Sequence, residues 1–405
     1  MCFSDFGQTN IGTVTTHPVS NSGTMVICSC RSNAVGIALS LRDIGWQGRI
    51  ICLNTNRGER AVAERWPALC ECWSVAIRDP EELPAWLAAR LPGHSVAAIF
   101  FCDERFLAAF AQVQIAAMFP KARIWVCRSD ELEIILDRWK FYAFLNANDL
   151  AVTPRTIRET CNPFQEFGGP FRVRVWRSWV GMRKLLRGRT IRTDEELRTW
   201  ADLCAREILM REEWGYQELL STDPKHTVSV CGWHDNTTPL YLVTRWVRQT
   251  GENGWLVECC PDPQDLQGTA KHILMALRYR GPFEIEFMKD AHGDAYKVIE
   301  MNPRFWLQHR LVGKELIRRY LGLEPQMGMT GHEQHYWLDT DVVLRNLLLL
   351  RNLEVMGCWF GGTWAVPMRG SFRPAVRGMA SSAKRKMVQS IRAVWGRQWF
   401  LHSKS

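Results

Sequence analysis

The residues with the clearest chemistry are a set of acidic, amide and basic side chains spaced two positions apart. Glu300, Asn302 and Arg304 alternate with apolar residues in one segment, and Glu286 does so in a segment shortly before it. Side chains two residues apart in a strand point to the same face. Magnesium prefers carboxylate and amide oxygens and usually shares them with substrate phosphates, which an arginine also binds. One interpretation of this spacing is therefore a site for magnesium and a phosphorylated ligand.

The elements that must position these side chains are two strands joined by a tight turn. Phe283–Phe287 and Tyr296–Phe305 both alternate with the period of a strand. Asp290–Asp294 connects them and has Gly293 near its centre. Two alternating runs around a short polar segment with glycine predict a β-hairpin.

A register centred on Gly293 places Glu286 opposite Glu300 and Glu284 opposite Asn302. Directly opposed carboxylates repel each other, and burying them without compensation is costly. A divalent cation between them would remove the repulsion. A charged, solvated hairpin face would have the same spacing, and a register slip of one residue would scatter the set. From spacing alone, both interpretations stay open.

The segment from Thr24 to Arg128 alternates short apolar runs with a helical pattern. The predicted elements are strands over Met25–Ser29, Arg49–Leu53, Ala97–Phe101 and Ala122–Cys127 and a helix over Asn33–Ile44. Strands that alternate with helices predict a parallel, doubly wound sheet. The loop Ser29–Asn33 lacks the glycine-rich fingerprint of dinucleotide-binding folds, which argues against a nicotinamide cofactor.

The rest of the chain mixes helices with strands. A helix is predicted over Glu131–Asn146 and a strand over Phe171–Trp176. Thr193–Glu196 is typical of a helix start with acidic residues in the first turn. The region His226–Leu323 is mostly strands and hairpins, with one helix near Gln264–Arg278.

A resemblance to a known superfamily rests on the stretch GPFEIEF…KVIEMNPRFWLQHR. It resembles the metal-binding hairpin of ATP-grasp enzymes, which include biotin carboxylase, carbamoyl-phosphate synthetase and D-alanine–D-alanine ligase. The similarity is greatest to the carboxylate–amine ligase branch. It implies that Glu286, Glu300 and Asn302 hold magnesium and that Arg304 steadies the transferring phosphoryl group. The stretch TRWVRQ at Thr244–Gln249 resembles a substrate-facing strand, which implies that Arg248 is a catalytic residue in addition to Arg304.

Further stretches extend the resemblance to about residues 24–325. Asp137–Tyr142 followed by Val152–Pro154 is similar to the start of the grasp fold, and YQELL at Tyr216–Leu220 resembles the hinge along adenine. The residues that the resemblance places at ATP are Arg138, Arg174, Lys184, Gln217, Glu218 and Leu220.

The chain departs from the family where lysines normally contact ATP. Arg138 stands in place of one lysine, and Trp176 stands at the strand end where the family has another. Arg174 or Arg177 could substitute, although an arginine fork does not have the geometry of a lysine point charge. The glycine-rich lid loop is replaced by the basic segment Ser178–Arg189.

The resemblance implies a fold of mixed α/β and α+β class. The expected parts are a flexible leader (1–23), a Rossmann-like pre-ATP-grasp domain (24–130), a two-subdomain ATP-grasp domain (131–325, lid over 155–222) and a basic C-terminal extension (326–405). The implied activity is an ATP-dependent carboxylate–amine ligase that forms a peptide-like amide through an acyl phosphate. ATP and a pair of magnesium ions are the implied cofactors. Small amino-acid-like carboxylates and amines are the implied substrates, and a homodimer is expected by analogy with family members.

Composition limits the other classes. The net charge is +9, and nine Lys and Arg but no acidic residue fall between Val355 and Ser405. Nucleic-acid-binding proteins usually carry their basic face on the folded body, so no nucleic-acid partner is expected. The 14 cysteines lack paired CxxC spacing and predict free thiols in a reducing cytosol. No window approaches the roughly 18 consecutive apolar residues of a membrane span, so a cytoplasmic protein is expected.

Two other functions stay open. The altered lysine positions also fit a nucleotide-binding ATP-grasp protein with weak or lost catalysis. Separately, Met387, Ile391, Trp395 and Trp399 recur every four residues among basic side chains, which predicts an amphipathic helix over 384–399. That helix could contact an anionic membrane surface at the inner face of the membrane, or it could dock on the folded body.

Overall fold

The computed structural model describes residues 23–55, 63–186, 188–235, 237–250, 253–325 and 336–338. The predicted leader up to residue 22 and most of the predicted C-terminal extension, including 384–399, lie outside these described residues. None of the helices in the described part combines the length and the apolar character that a bilayer crossing requires.

The described residues form a mixed α/β structure. Its strands are β1 (Thr24–Cys28), β2 (Arg49–Asn54), β3 (Glu71–Ser74), β4 (Val96–Phe101), β5 (Thr156–Ile157), β6 (Phe171–Val175), β7 (Trp179–Val180), β8 (Arg183–Lys184), β9 (Arg189–Ile191), β10 (Trp214–Gln217), β11 (Thr227–His234), β12 (Leu240–Thr250), β13 (Asn253–Cys259), β14 (Gly281–Lys289), β15 (Tyr296–Asn302) and β16 (Tyr336–Leu338). Its α-helices are α1 (Ser32–Asp43), α2 (Leu83–Ala88), α3 (Glu104–Ala111), α4 (Ile115–Met118), α5 (Ser129–Leu136), α6 (Arg138–Ala147), α7 (Pro163–Phe167), α8 (Asp194–Arg206), α9 (Leu266–Ala276), α10 (His309–Val312) and α11 (Lys314–Tyr320).

The first four strands form one sheet in the order β3-β2-β1-β4, and every pairing in it is parallel. Alternate residues of its strands enter two hydrophobic clusters. Met25 and Ile27 pack in the cluster that contains α1 and α11, whereas Val26 and Cys28 pack in the cluster that contains α2 and α3. Both faces are therefore buried, which is usual for parallel strands. The prediction of a parallel sheet with helices on both faces is confirmed.

The predicted strand over Ala122–Cys127 is wrong as a full strand. Only Arg123 pairs with the sheet, through one parallel bridge to Ala98. Trp125 bonds to Tyr320 of α11 instead: its indole N–H donates to the Tyr320 carbonyl at 2.8 Å, and its backbone N–H donates to the Tyr320 hydroxyl at 3.5 Å. Because these bonds take the place of ladder hydrogen bonds, the strand stops after one bridge.

The predicted helix over Glu131–Asn146 is also wrong as a single element, because Asp137 separates α5 from α6. Asp137 has an extended backbone, and its carboxylate accepts hydrogen bonds from the backbone N–H groups of Trp139 at 3.0 Å and Lys140 at 3.2 Å. An aspartate that satisfies these free N–H groups starts a new helix. Arg138 is consequently the first residue of α6 and lines the cavity described below.

Two antiparallel sheets complete the described fold. The smaller sheet has the order β5-β10-β6-β9, and the larger has the order β15-β14-β11-β12-β13-β16. The smaller sheet packs with α7 and α8 around a hydrophobic cluster of its own. The larger sheet packs against α9 and shares its hydrophobic clusters with the parallel sheet. The smaller sheet is thus a separately packed layer, and a cavity lies between it and the larger sheet.

Candidate active site

The hairpin β14–β15 has the predicted register where the site residues lie. Glu284 is opposite Asn302, and Glu286 is opposite Glu300. The register shifts by one residue directly after the Glu286–Glu300 pair, so the pairing centred on Gly293 does not continue toward the turn. A shift of this kind locally twists a strand and redirects its side chains. The two carboxylates nevertheless meet across the hairpin as the sequence predicted.

A cavity of about 690 Å³ lies between the hairpin, the smaller sheet and the carboxyl ends of the parallel strands. This volume is within the usual range of small-molecule sites, roughly 300–1,000 Å³. Its walls include nine residues that the sequence singled out, which are Arg138, Arg174, Gln217, Glu218, Leu220, Glu286, Glu300, Asn302 and Arg304. The fold therefore brings distant parts of the chain to one cleft.

Glu300 is held by two arginines, one at the start of α6 and one in β6. Arg138 donates to its carboxylate through Nε at 3.1 Å and also through Nη2, and Arg174 donates through Nη2 at 3.4 Å. Burial alone would raise the pKa of Glu300, but the neighbouring Arg138 and Arg174 lower it to about 2. Two guanidinium groups thus share one carboxylate in this part of the cleft.

Glu286 differs from its partner across the hairpin. Among the described residues, its carboxylate has neither a hydrogen bond nor an ion pair. Burial, followed by repulsion from Glu300 and Glu284, raises the pKa of Glu286 well above its usual range. No group of three or more His, Cys, Asp or Glu suited to a metal occurs in the described part of the chain. Two carboxylates and an amide are nonetheless a donor set that fits magnesium, because magnesium completes its coordination with water and substrate phosphates.

Asn302 is oriented by a residue for which the sequence analysis proposed no role. Its Nδ2 donates to Glu284 Oε2 at 3.1 Å, while Gln308 Nε2 donates to Glu284 Oε1 at 3.1 Å. Glu284 is only 6% exposed, and burial raises its pKa to about 6. The strand period did place Glu284 on the same face as Glu286, but only the fold reveals Gln308 as its second partner.

Arg304 reaches the cavity beside Asn302 and is anchored from the parallel-sheet side. Its Nε donates to Glu104 Oε2 at 2.6 Å, and its Nη2 donates to Asn302 Oδ1 at 3.2 Å. Glu104 begins α3, just beyond the carboxyl end of β4. The sequence analysis gave Glu104 no role. The available signal was its place after a parallel strand, where open α/β sheets usually bind ligands.

The segment around the end of β10 runs along the edge of the cavity. Gln217 is 1% exposed and lines the cavity. The Glu218 carboxylate accepts hydrogen bonds from Lys297 Nζ at 2.7 Å and from the backbone N–H of Arg155 at 2.6 Å. Leu220 forms an isolated antiparallel bridge with the start of the hairpin turn. These contacts fix the segment that the resemblance places at adenine.

Trp176, which the resemblance places where the family has a lysine, is not among the residues that line the cavity. Its side chain is buried, with its ring centroid 5.3 Å from that of Trp139. The ring lies over Gly215 of β10, where a Cβ would come within 2.5 Å of it. A glycine is therefore required on β10 for this packing, and the tryptophan is a structural substitute for the lysine rather than a chemical one.

Arg174 and Arg177, the two candidates for the missing cation, point to different partners. Arg174 contacts Glu300 in the cleft, and burial, together with the like charge of Arg138, lowers the pKa of Arg174. Arg177 Nε instead lies 3.0 Å from Asp137 Oδ2. Arg174 is the candidate that contacts the hairpin carboxylates.

Arg105 holds the β7–β8 hairpin against the parallel-sheet side. Its Cζ lies 3.8 Å from the ring centroid of Trp179, and its Nη1 lies 3.6 Å from Met182 Sδ. Asp103 accepts from Arg105 Nε at 2.9 Å. Such a contact between a guanidinium and an indole face is attractive. The β7–β8 hairpin is therefore docked on the parallel-sheet side, with Trp179 in the lining of the cavity.

No protein-family description and no curated protein sequence matches the chain. Solved structures do match. N5-carboxyaminoimidazole synthetase from Staphylococcus aureus superposes with a TM-score of 0.59 at 14% identity, over 82% of this chain and 86% of that one. Biotin carboxylase from Campylobacter jejuni, in a β,γ-ATP complex, gives 0.57 at 15% identity, over 78% of this chain and 74% of that one.

A third structure is N5-carboxyaminoimidazole synthase from Aspergillus clavatus, in complex with ADP and 5-aminoimidazole ribonucleotide. It gives a TM-score of 0.55 at 14% identity, over 76% of this chain and 78% of that one. These neighbours are ATP-grasp proteins. The chain has an ATP-grasp fold. At these identities the likeness is one of fold, as the resemblance of the hairpin segment predicted.

Two residues predicted for this ATP-grasp site have no described side chain. Lys184 lies in β8, and Arg248 lies in β12, where its backbone pairs with Leu256 of β13. Their assignments to ATP and to a substrate therefore stay predictions.

Proposed function

We propose that the chain is an ATP-dependent carboxylate–amine ligase that works through an acyl phosphate. One observation carries the proposal: opposed Glu286 and Glu300, with Asn302 and Arg304 beside them, line a cavity whose other wall supplies Arg138 and Arg174. Opposed carboxylates beside two arginines suit a metal ion that is bound together with a polyphosphate. The proposal includes the division at about residue 130 and the lid over 155–222.

Glu286, Glu300 and Asn302 are the proposed magnesium ligands. The fit is supported by the state of Glu286, a carboxylate without a described partner that is repelled by its neighbours. When bound, magnesium neutralises phosphate charge and orients the transferring group. The donor set itself supplies oxygen atoms only, which is the preference of a hard cation.

Arg138 and Arg174 are proposed to take the place of the family's lysines at the phosphates. They share the single carboxylate of Glu300, and both line the cavity, so their guanidinium groups are placed to contact an anion that enters it. Guanidinium groups bind phosphate oxygens in pairs, which gives them a defined orientation. Arg304 is proposed to meet the charge that develops on the transferring phosphoryl group.

The chemistry follows from this placement. A carboxylate oxygen of the first substrate attacks the γ-phosphorus of ATP, and ADP leaves. The amine nitrogen of the second substrate then attacks the acyl carbon, loses a proton and expels phosphate. The protein contributes position and charge rather than a nucleophile. Arg248 is proposed to contact a substrate carboxylate, and both substrates are proposed to be small and amino-acid-like.

A phosphate-release screen tests the proposal. Pairs of small carboxylates and amines are incubated with magnesium-ATP and the wild-type protein, Glu300→Ala or Asp294→Ala. Asp294 is an exposed acid in the turn of the same hairpin and is the matched control. We expect release that needs both substrates, is lost in Glu300→Ala and is retained in Asp294→Ala. Release that survives Glu300→Ala would contradict the metal assignment.

A second candidate function is a nucleotide-binding protein with weak or lost catalysis. The burial of Trp176, where the family has a lysine, favours it. The same screen distinguishes the two functions, because magnesium-ATP binding without turnover across the whole panel supports the second candidate.

A further inference from the structure

A line of hydrogen bonds passes through the proposed metal ligand Asn302 and continues on both sides of it. It starts at Gln308, passes through Glu284 to Asn302, continues to Arg304 and ends at Glu104. Each step is a direct contact of 2.6–3.2 Å. Its members come from three places: the start of α3, the hairpin and the segment just before α10.

The line determines which way the Asn302 amide faces. A carboxylate only accepts hydrogen bonds and a guanidinium only donates them. Glu284 therefore requires the Nδ2 side of Asn302, and Arg304 requires its Oδ1 side. A flipped amide would set oxygen against Glu284 and N–H against Arg304. Both neighbours thus select the orientation that keeps the carbonyl oxygen, the atom a magnesium ion needs, beside Arg304, a residue that lines the cavity.

Glu284 is not placed as a metal ligand itself. One of its carboxylate oxygens accepts from Gln308 and the other accepts from Asn302. It is 6% exposed and does not line the cavity, whereas Glu286 and Glu300 do. A buried carboxylate with both oxygens occupied can act on the site only through its partners.

Glu104 has the corresponding role at the other end of the line. It lies in the first turn of α3, and its carboxylate fixes Arg304 through Nε. Arg304 keeps further N–H groups for an anion, since a guanidinium has five donors. The part of the chain that carries the parallel sheet thus sets the position of an arginine that belongs to the hairpin.

From this arrangement we propose that Glu284 and Glu104 are positioning residues: Glu284 fixes the metal-binding orientation of Asn302, and Glu104 fixes Arg304. The inference rests on the proposed function, because it assigns the two residues to the same magnesium-ATP site. It adds that the acceptor capacity of Glu284, rather than its charge, is what the site needs. Hydrogen-bonding partners of metal ligands typically affect metal affinity about 10- to 100-fold.

The test compares variants that keep or remove the acceptor. Glu284→Gln keeps one amide oxygen for Asn302, and Gln308 can turn its own amide to match. Glu284→Met has similar length and no acceptor. Glu104→Met removes the carboxylate that anchors Arg304 Nε and changes no residue of the hairpin itself. Glu315→Met is the matched control, since Glu315 is another buried acid, 4% exposed and paired with Arg319 of α11.

The readout is the dissociation constant of Mn²⁺ in the presence of a non-hydrolysable ATP analogue, measured by calorimetry. The affinity of the analogue without metal and the melting temperature are measured beside it. We expect Glu284→Met to weaken metal binding about 10- to 100-fold, Glu284→Gln to stay within about threefold, and Glu104→Met to fall between them. Glu315→Met should change the melting temperature and leave metal binding unchanged.

Two outcomes overturn the inference while leaving the proposed function in place. One is a loss in Glu284→Gln as large as in Glu284→Met, which would make Glu284 act through its charge or as a ligand. The other is metal binding unchanged in both Glu284→Met and Glu104→Met. If Glu284→Met does not fold, Glu284→Gln and Glu104→Met still decide, because the inference requires near-wild-type affinity in the first and weakened affinity in the second. Wild-type protein that binds no nucleotide would overturn the proposed function itself.

Discussion

The hairpin β14–β15 and a facing wall, made by Arg138 at the start of α6 and Arg174 in β6, line the cavity with opposite charges. The hairpin supplies Glu286 and Glu300, which repel each other. The facing wall supplies Arg138 and Arg174, and both form ion pairs with the Glu300 carboxylate. The negative charge of the hairpin and the positive charge of the facing wall neutralise each other only in part, through the contact at Glu300.

The two walls also differ in how closely they follow the ATP-grasp pattern. In the resemblance, the hairpin matches the acidic, amide and arginine positions of the family, whereas Arg138 and Trp176 stand where the family has lysines. What is retained there is positive charge, supplied by Arg138 and Arg174, while Trp176 packs against Trp139. Under the proposed function, the metal end, which is the hairpin with Glu286, Glu300 and Asn302, depends on particular ligand atoms. The phosphate end, which is the wall with Arg138 and Arg174, depends on positive charge and tolerates a change of cation.

The largest expected effect is at the metal end, in Glu286→Gln. The substitution keeps the shape of the side chain and removes a carboxylate whose pKa is raised by burial and repulsion. We expect turnover to fall by about 10³-fold, since one preorganised group at a transferring centre contributes on this scale. Because a repelled charge is removed, the free energy of unfolding without ligand should stay equal or rise. Urea unfolding and phosphate release measure the two effects. Turnover near wild type would show that only Glu300 matters on the hairpin.

The metal end is also the part that could be predicted from sequence in most detail. Alternation places side chains on one face, and a short turn sets the register, so Glu286 opposite Glu300 follows from local rules. The one-residue shift beyond this pair could not be predicted, because a bulge depends on how β14 also pairs with β11. The anchor at Glu104 lies 200 residues from Arg304 and follows only from the tertiary fold.

The second prediction concerns Trp176→Lys, which restores the family residue. We expect it to lower the free energy of unfolding by roughly 3–5 kcal/mol, because it empties a packed aromatic site and buries an ammonium group. Nucleotide affinity should not improve. Urea unfolding and calorimetry check both parts, with Trp176→Phe as the control that keeps an aromatic ring over Gly215 and adds no charge. A stable Trp176→Lys protein with tighter ATP binding would show that the pocket still accepts the family's lysine.

The third prediction concerns α10, where His309 is buried beside Gly36 of α1. Burial lowers the pKa of His309 from its ordinary value of 6.5 to about 4. The neutral ring is favoured in the folded state, so its contribution is full above pH 6.5 and declines as the pH falls toward 4. The linkage predicts a loss of about 2 kcal/mol between pH 8 and pH 5. Urea unfolding at both pH values should show this loss in the wild type and a smaller one in His309→Gln. Equal losses would show that other groups cause the acid sensitivity.

The smallest expected effect distinguishes the two arginines of the phosphate end. Arg174→Met should weaken magnesium-ATP binding about 10- to 100-fold, whereas Arg177→Met should change it by less than about threefold. The reason is that Arg174 contacts Glu300 in the cleft, while Arg177 is paired with Asp137. Calorimetric titration of both variants gives the comparison. A reversed order would move the phosphate site toward the docked β7–β8 hairpin.

The phosphate end could be predicted only in outline. The sequence left Arg174 and Arg177 as alternatives, because their partners Glu300 and Asp137 lie in other elements. The break at Asp137 was missed since the apolar period continues across it, and a capping aspartate is evident only when the two free N–H groups are seen. Both features depend on how the elements pack against one another, which local sequence patterns do not show.

The most direct test of the account follows one oxygen atom. The carboxylate substrate found in the screen is labelled with ¹⁸O in its carboxylate, and the released phosphate is analysed by mass spectrometry. Because a carboxylate oxygen attacks the γ-phosphorus and leaves with it when the amine attacks, the account predicts one labelled oxygen in each phosphate. Amide formation with unlabelled phosphate would contradict it.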